Sequence, residues 1–263
     1  MERRSLKERL ETNEQTGERK ISIRRLLPNV ITILALCCGL TSIRLGLQGQ
    51  FEMAVLIVVF AALLDGVDGR LARLLKVESK IGAQLDSLVD FLNFGIAPVV
   101  LVYIWAMETM GRLGWLAMLC FTVCAALRLA RFNVETSNPD RPVWRDNFFT
   151  GMPSPAAGLL VFVPPILEFA GLADVKSHYL LICFYTIALA GFMVSNIPTF
   201  SGKRLALSFT RKQAMPILLF VGVLGGTLLT FPWIGLLMIG VTYLASIPFT
   251  ILLYYRQLAR ASF

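Results

Sequence analysis

Histidine is almost missing from this sequence: His178 is the single one among 263 residues. Imidazole chemistry, whether as general base or as metal ligand, therefore has one place at most to reside. Charge is also scarce, at 16% of residues, and acid is scarcer than base, with 17 Asp and Glu against 25 Lys and Arg. Cysteine is limited to Cys37, Cys38, Cys120, Cys124 and Cys183, all within apolar runs and without the loop spacing of a metal knuckle or a disulfide framework. These five read as packing residues. An apolar leader is lacking as well; the first 20 residues are polar and charged, so no cleavable signal peptide is expected.

What fills the chain instead is hydrocarbon. Apolar residues make up 56% of it and the mean hydropathy is +0.68, a composition whose natural solvent is a bilayer. Apolar runs fall at about 28–47, 53–74, 84–107, 113–131, 154–172, 179–198, 214–231 and 233–254. Each is near the roughly 20 residues that a helix needs to cross a core of about 30 Å. The pattern predicts an all-α integral membrane protein of about eight transmembrane helices, with a polar basic arm at 1–26, a transmembrane domain at 27–256 and a short tail at 257–263.

Basic residues orient that array, because cytoplasmic loops collect Lys and Arg. With eight spans, 22 of the 25 basic residues fall on one side, leaving Arg44, Arg112 and Lys176 for the other. Both termini are thus expected in the cytoplasm. A net charge of +8 could mean nucleic acid, but these cations flank membrane helices, where anionic headgroups attract them at roughly 1 kcal/mol each. Membrane lipid, not nucleic acid, is the expected partner.

Against this background the stretch 63–90 stands out, because it sets Asp65, Asp68, Asp86 and Asp90 among apolar residues. An ionisable group at membrane depth is expensive and marks function by default. Asp65 and Asp68 lie about 60° apart on one helix face, with Gly69 and Ala72 on the same side and Arg73 slightly beyond; Asp86 and Asp90 are an i, i+4 pair on the next helix. The short connection between them predicts antiparallel neighbours whose acids meet near the cytoplasmic end. Four facing carboxylates in a low dielectric cannot all stay ionised without counter-charge. Hard divalent cations supply it through oxygen ligands, and two-metal sites of this type serve phosphoryl chemistry. Gly66, Gly69, Ala72 and Gly82 leave room for a bulky ligand, and Arg73 offers a fork suited to phosphate oxygens. On physics alone a proton or cation pathway could use the same acids, and ion pairing with Arg70 and Arg73 is the plain structural alternative.

Asp65, Asp68, Gly69, Ala72, Arg73, Gly82, Asp86 and Asp90 fit the signature D-x2-D-G-x2-A-R-x8-G-x3-D-x3-D in spacing and identity, eight specified residues in a 26-residue window. The segment resembles the CDP-alcohol phosphotransferase family. That resemblance implies the family's helical membrane fold and transfer from a CDP-linked alcohol to an acceptor hydroxyl with release of CMP. It implies that Asp65, Asp68 and Asp86 hold a pair of divalent metals, Mg2+ or Mn2+, with Asp90 as a further ligand or as the base. It further implies a CDP site formed by Asp65, Asp68, Gly69, Ala72 and Arg73, with Gly82 permitting close helix approach, and a homodimer.

The outer segments "LPNVIT", "SLVDFLNFGIAP", "ALRLARFN", "FFTGMPSPAAG" and "SNIPTFSGKR" resemble the phosphatidylserine synthase branch, closest to its bacterial membrane-bound members. The branch implies CDP-diacylglycerol and L-serine as substrates and a site on the cytoplasmic side of the inner membrane. Glycerol 3-phosphate, inositol phosphate and choline are the other acceptors to weigh. Within these segments Pro28 suits the first turn of a helix, and Asn29 is placed to reach the pocket or to bond helix-end backbone. Arg128 and Arg131 are candidates for the lipid phosphate or the serine carboxylate, against an anionic-lipid or helix C-terminal role. Asn93, one turn beyond Asp90, is a candidate for orienting the acceptor. Gly151 to Pro155 reads as a stiff structural entry to the fifth span, and Lys203 and Arg204 as surface charge.

Overall fold

The computed structural model describes residues 23–75, 79–136, 148–200 and 211–261. Most of the polar arm, and with it Lys76, Arg141, Arg145, Lys203 and Arg204, lies outside the described residues. Helix occupies each of the eight apolar runs. By length and composition four stretches can cross a bilayer, Leu26–Leu47, Ile81–Met110, Arg112–Glu135 and Pro232–Leu252, and the protein is a multi-pass membrane protein. Its outer helix faces carry exposed apolar side chains such as Val30, Leu34, Leu116, Val123 and Phe184, surfaces that only lipid or another apolar partner can cover.

Helices α1 (Ile23–Leu47) and α2 (Phe51–Leu75) form a hairpin. Its turn is tight because Gly49 adopts φ 76°, a left-handed conformation that favours glycine, and the amides of Gly49 and Gln50 return to the carbonyls of Gly46 and Leu45. α1 begins earlier than its apolar run, so Pro28 lies inside the helix, not in its first turn. There it removes one i→i−4 hydrogen bond.

Helix α3 (Lys80–Asp90) starts at Ser79, whose Oγ accepts the Gly82 amide at 3.0 Å, the ordinary N-cap bond. The chain continues through a π-helical turn (Phe91–Ile96), α4 (Ala97–Val102), a second π-helical turn (Tyr103–Met107) and a 3-10 turn (Glu108–Met110). Apolar periodicity does not disclose such rewinding. Pro98 has no amide to give to the Phe94 carbonyl, and the helix is wound wider just before it.

Helix α5 (Arg112–Thr136) runs beyond the expected end, since nothing in "FNVET" breaks a helix, and so Arg128 and Arg131 sit before its last turn. The fifth apolar run is split into α6 (Ser154–Leu160) and α7 (Val163–Phe169). Pro164 and Pro165 explain the break: Pro164 cannot donate to the Leu160 carbonyl, and the Tyr185 hydroxyl donates to it instead at 2.7 Å. Tyr185 belongs to α8 (Tyr179–Val194), which ends short of the expected residue 198. After it, β2 (Pro198–Phe200) pairs antiparallel with β1 (Phe148–Thr150), a small ribbon absent from the all-helical expectation. α9 (Arg211–Thr230) and α10 (Pro232–Ala261) complete the described chain.

The core lies among α2, α4, α5, α6 and α8, with Phe94, Phe121 and Phe162 fully buried. α1 is the helix on which both α2 and α3 pack, and α2 packs on it most extensively. α1 is thus the common support of the two acid-bearing helices, and α2 and α3 face one another across the space that becomes the site.

Candidate active site

The signature residues converge across that space. One carboxylate oxygen from each of Asp65, Asp68 and Asp86 lies within 4.8 Å of the others. Asp90 follows Asp86 by one turn, and its carboxyl group lies close to that of Asp65, an arrangement that two carboxylates tolerate only with a proton or a cation between them. Asp68 is 2% exposed; its Oδ2 accepts a hydrogen bond from Thr32 Oγ1 at 2.6 Å. Asp68 Oδ1 and Asp90 Oδ1 are buried and accept no hydrogen bond among the described residues. Buried oxygens of this type require a partner. An all-oxygen set with unpartnered atoms fits a hard divalent cation, and Asp65, Asp68 and Asp86, with Asp90 adjoining, are the residues that could hold it.

Beside the acids is a cavity of about 200 Å³, lined by Pro28, Asn29 and Thr32 of α1, Asp68, Gly69 and Ala72 of α2, and Ser79, Gly82, Ala83 and Asp86 at the start of α3. A Cβ on Gly69 would meet nothing within 4 Å, so the missing side chain contributes free space. Gly82 does the opposite: its Cβ would come within 2.8 Å of Asn29 Oδ1. Glycine there lets α3 approach α1, which is how Asn29 reaches the cavity wall.

The other expected site residues make contacts of their own. Arg73 is exposed, and its Nε donates to the Gly69 carbonyl at 3.0 Å, folding the side chain back on its own helix. Asn93 is fully buried; its Nδ2 donates to the Ala35 carbonyl at 3.1 Å, and its side chain occupies the notch left by Gly39, clamping the first π-helical turn to α1. Arg128, 4% exposed, donates from Nε to the Met152 carbonyl at 3.2 Å and stacks on Phe132. Arg131 donates from Nη1 to the Val194 carbonyl and to Asn196 Oδ1. The two arginines thus tie the end of α5 to the segments around the ribbon. Gly151 belongs to the same knot: its φ is 77°, its Cβ would lie 2.5 Å from the Met193 carbonyl oxygen, and its own carbonyl accepts from Thr199. The stiff entry at 151–155 has this docking as its cause. His178 is exposed at the N-terminal end of α8, contacting Asp174 and Ser177.

Sequence reasoning did not single out Thr32, Ser79 or Ala83 as site residues. A signal for Thr32 was present, since Pro28, Asn29 and Thr32 stand at i, i+1 and i+4, one helical face of an otherwise apolar run.

Comparison with known proteins agrees with the signature. The family CDP-alcohol phosphatidyltransferase matches residues 25–195, and a second, CDP-alcohol phosphatidyltransferase 2, matches residues 214–248. A Mycobacterium leprae protein named CDP-diacylglycerol–serine O-phosphatidyltransferase is 34% identical over 240 residues, covering 91% of this chain and 79% of its own. A Helicobacter pylori protein of the same name is 38% identical over 178 residues, 65% of this chain and 70% of the relative. A Bacillus subtilis namesake is 36% identical over 171 residues, 65% of this chain and 88% of the relative. With a family match that spans both halves of the aspartate constellation and most of the helices around it, the chain belongs to the CDP-alcohol phosphatidyltransferase family.

Proposed function

We propose that the protein transfers the phosphatidyl group of CDP-diacylglycerol to the hydroxyl of L-serine, giving phosphatidylserine and CMP. The observation that carries this reading is the meeting of Asp65, Asp68 and Asp86 oxygens within 4.8 Å beside a small-residue cavity, in a chain whose relatives carry the serine transferase name. Asp65, Asp68 and Asp86 would hold Mg2+ or Mn2+, which when bound would neutralise the diphosphate and the charge that develops on it.

The chain's own residues do the rest. Gly69, Ala72 and Gly82 shape the wall for the CDP moiety, and Asn29 offers an amide at its edge. Asp90 takes the proton of the serine hydroxyl as its oxygen bonds to the phosphatidyl phosphorus; the bond from that phosphorus to the CMP oxygen breaks, and CMP leaves with the electron pair. Arg73, one turn past Gly69, is within the family signature for CDP and would have to swing from the Gly69 carbonyl to engage it. The reading places eight spans in a bacterial inner membrane, with both termini and the site on the cytoplasmic side, where water-soluble serine and lipid-borne substrate both arrive. A homodimer is supported by α9, where side chains added at Gly222, Gly225 or Gly226 would meet nothing within 4 Å among the described residues; such open small-residue faces suit helix pairing in lipid.

The test is CMP release by purified protein in detergent with CDP-diacylglycerol and Mn2+ or Mg2+, comparing L-serine with glycerol 3-phosphate, inositol phosphate and choline. Serine-dependent release, lost with chelator and restored by the ion, is expected. Release only with another alcohol overturns the acceptor and keeps the mechanism. No release with any acceptor from folded protein overturns the reading in favour of ion movement, measured as flux in proteoliposomes.

A further inference from the structure

Threonines inside membrane helices usually return their hydroxyl proton to the carbonyl one turn back. This chain does so repeatedly: Thr41, Thr227, Thr242 and Thr250 bond their i−4 carbonyls at 2.6–2.8 Å. Thr32 adds a second acceptor to that pattern. Its Oγ1 is 3.0 Å from the Pro28 carbonyl but 2.6 Å from Asp68 Oδ2, on another helix. A hydroxyl has one proton, and the shorter contact falls in the range of a charge-assisted O–H to carboxylate bond. Thr32 is 4% exposed and Asp68 2% exposed, so water has little access to replace that bond.

We infer that Thr32 is a positioning residue for the metal site: by donating to Asp68 Oδ2, it fixes the carboxylate plane so that Asp68 Oδ1 is presented to the other ligand oxygens. The geometry of Asp68 supports this assignment. One oxygen is held by Thr32, the other is buried with no hydrogen-bond partner among the described residues, and a ligand oxygen of Asp68 lies within 4.8 Å of those from Asp65 and Asp86. Without the hydroxyl, Asp68 can rotate about its terminal torsion, which is intrinsically broad, and the ligand set loses its preformed shape. Thr32 is itself held by its place on α1, the helix on which both acid-bearing helices pack. Hence α1 sets the geometry of the ion site while contributing no carboxylate to it.

This inference rests on the metal-site reading above, and the experiment separates the two. Mn2+ affinity is measured by electron paramagnetic resonance on detergent-purified protein without substrates, for the unsubstituted chain, Thr32→Ser, Thr32→Val and Thr32→Ala. Loss of a group that orients a ligand weakens metal binding about 10–100-fold; that loss is expected in Thr32→Val and Thr32→Ala, with Thr32→Ser close to the unsubstituted chain. Thr32→Ala serves where the valine methyl disturbs folding, and Thr32→Ser shows that retaining a hydroxyl suffices. Equal Mn2+ affinity in the serine, valine and alanine variants, with the unsubstituted chain binding normally, overturns the role of Thr32 alone. Absence of Mn2+ binding in the unsubstituted, folded protein overturns the metal site, and the inference falls with it.

Discussion

Glu168 and Asp68 are carboxylates on helices of one membrane protein, and the fold treats them in opposite ways. Glu168 Oε2 accepts the amides of Val175 and Lys176 at 3.1 and 2.8 Å, closing the loop after α7. Nearby, the carbonyl that Pro164 leaves without its helical partner receives the Tyr185 hydroxyl. At the aspartate cluster, one oxygen of Asp68 is held by Thr32 while another, like one of Asp90, is buried without a partner among the described residues. The difference teaches that this chain can satisfy a polar group in apolar surroundings where the group serves structure. Lack of a partner is not sufficient by itself to mark a site, since Asn93 Oδ1 and Tyr243 Oη share it. What distinguishes the aspartates is convergence of several such groups on one small volume beside a cavity.

The comparison is tested most severely at the acids. Asp90→Asn keeps size but removes a base and a charge, and is expected to lower CMP release by about 10²–10⁴-fold, the usual contribution of a positioned general base. Thermal unfolding of the variant should stay close to that of the unsubstituted protein, because replacing one member of an uncompensated acid cluster by a neutral isostere relieves repulsion. A large loss of stability with proportionate loss of activity would move Asp90 to the structural side of the comparison. Tyr185→Phe should behave in the reverse sense: the Leu160 carbonyl loses its donor, stability falls by about 1–3 kcal/mol, and activity per folded molecule is retained. Differential scanning fluorimetry beside the release assay separates the two quantities. Smallest is Glu168→Gln, which keeps one acceptor oxygen for Val175 and Lys176 but removes the charge; a loss of about 1 kcal/mol with unchanged release is expected, read by the same pair of measurements.

Much of this arrangement is legible along the chain. The apolar runs locate the helices because a bilayer tolerates backbone only when its polar groups are satisfied within the segment. The aspartate spacing places each pair on one helical face by periodicity alone, and Gly69 and Ala72 fall on the same face as Asp68 for the same reason. What stays hidden depends on contacts between segments distant in sequence. The π-helical turns after Asp90, the break at Pro164 and the ribbon joining residues 148–150 to 198–200 each settle where a carbonyl finds its donor, a choice made by neighbours and not by local pattern. Arg128 and Arg131 illustrate the limit: cations at the end of an apolar run invite an anionic ligand, yet in the fold they bond to carbonyls of the knot around Gly151.

The sequence by itself determined the solvent of this protein, the places of its helices and which residues carry its acids, since hydropathy and helical period are local properties. Only the tertiary structure decided that α1 supports both acid-bearing helices, that Thr32 reaches Asp68 on the neighbouring helix, and that the space beside Gly69 remains open. The physical reason is that a carboxylate's usefulness depends on what its second oxygen touches, and in this fold that partner comes from a helix more than 30 residues away.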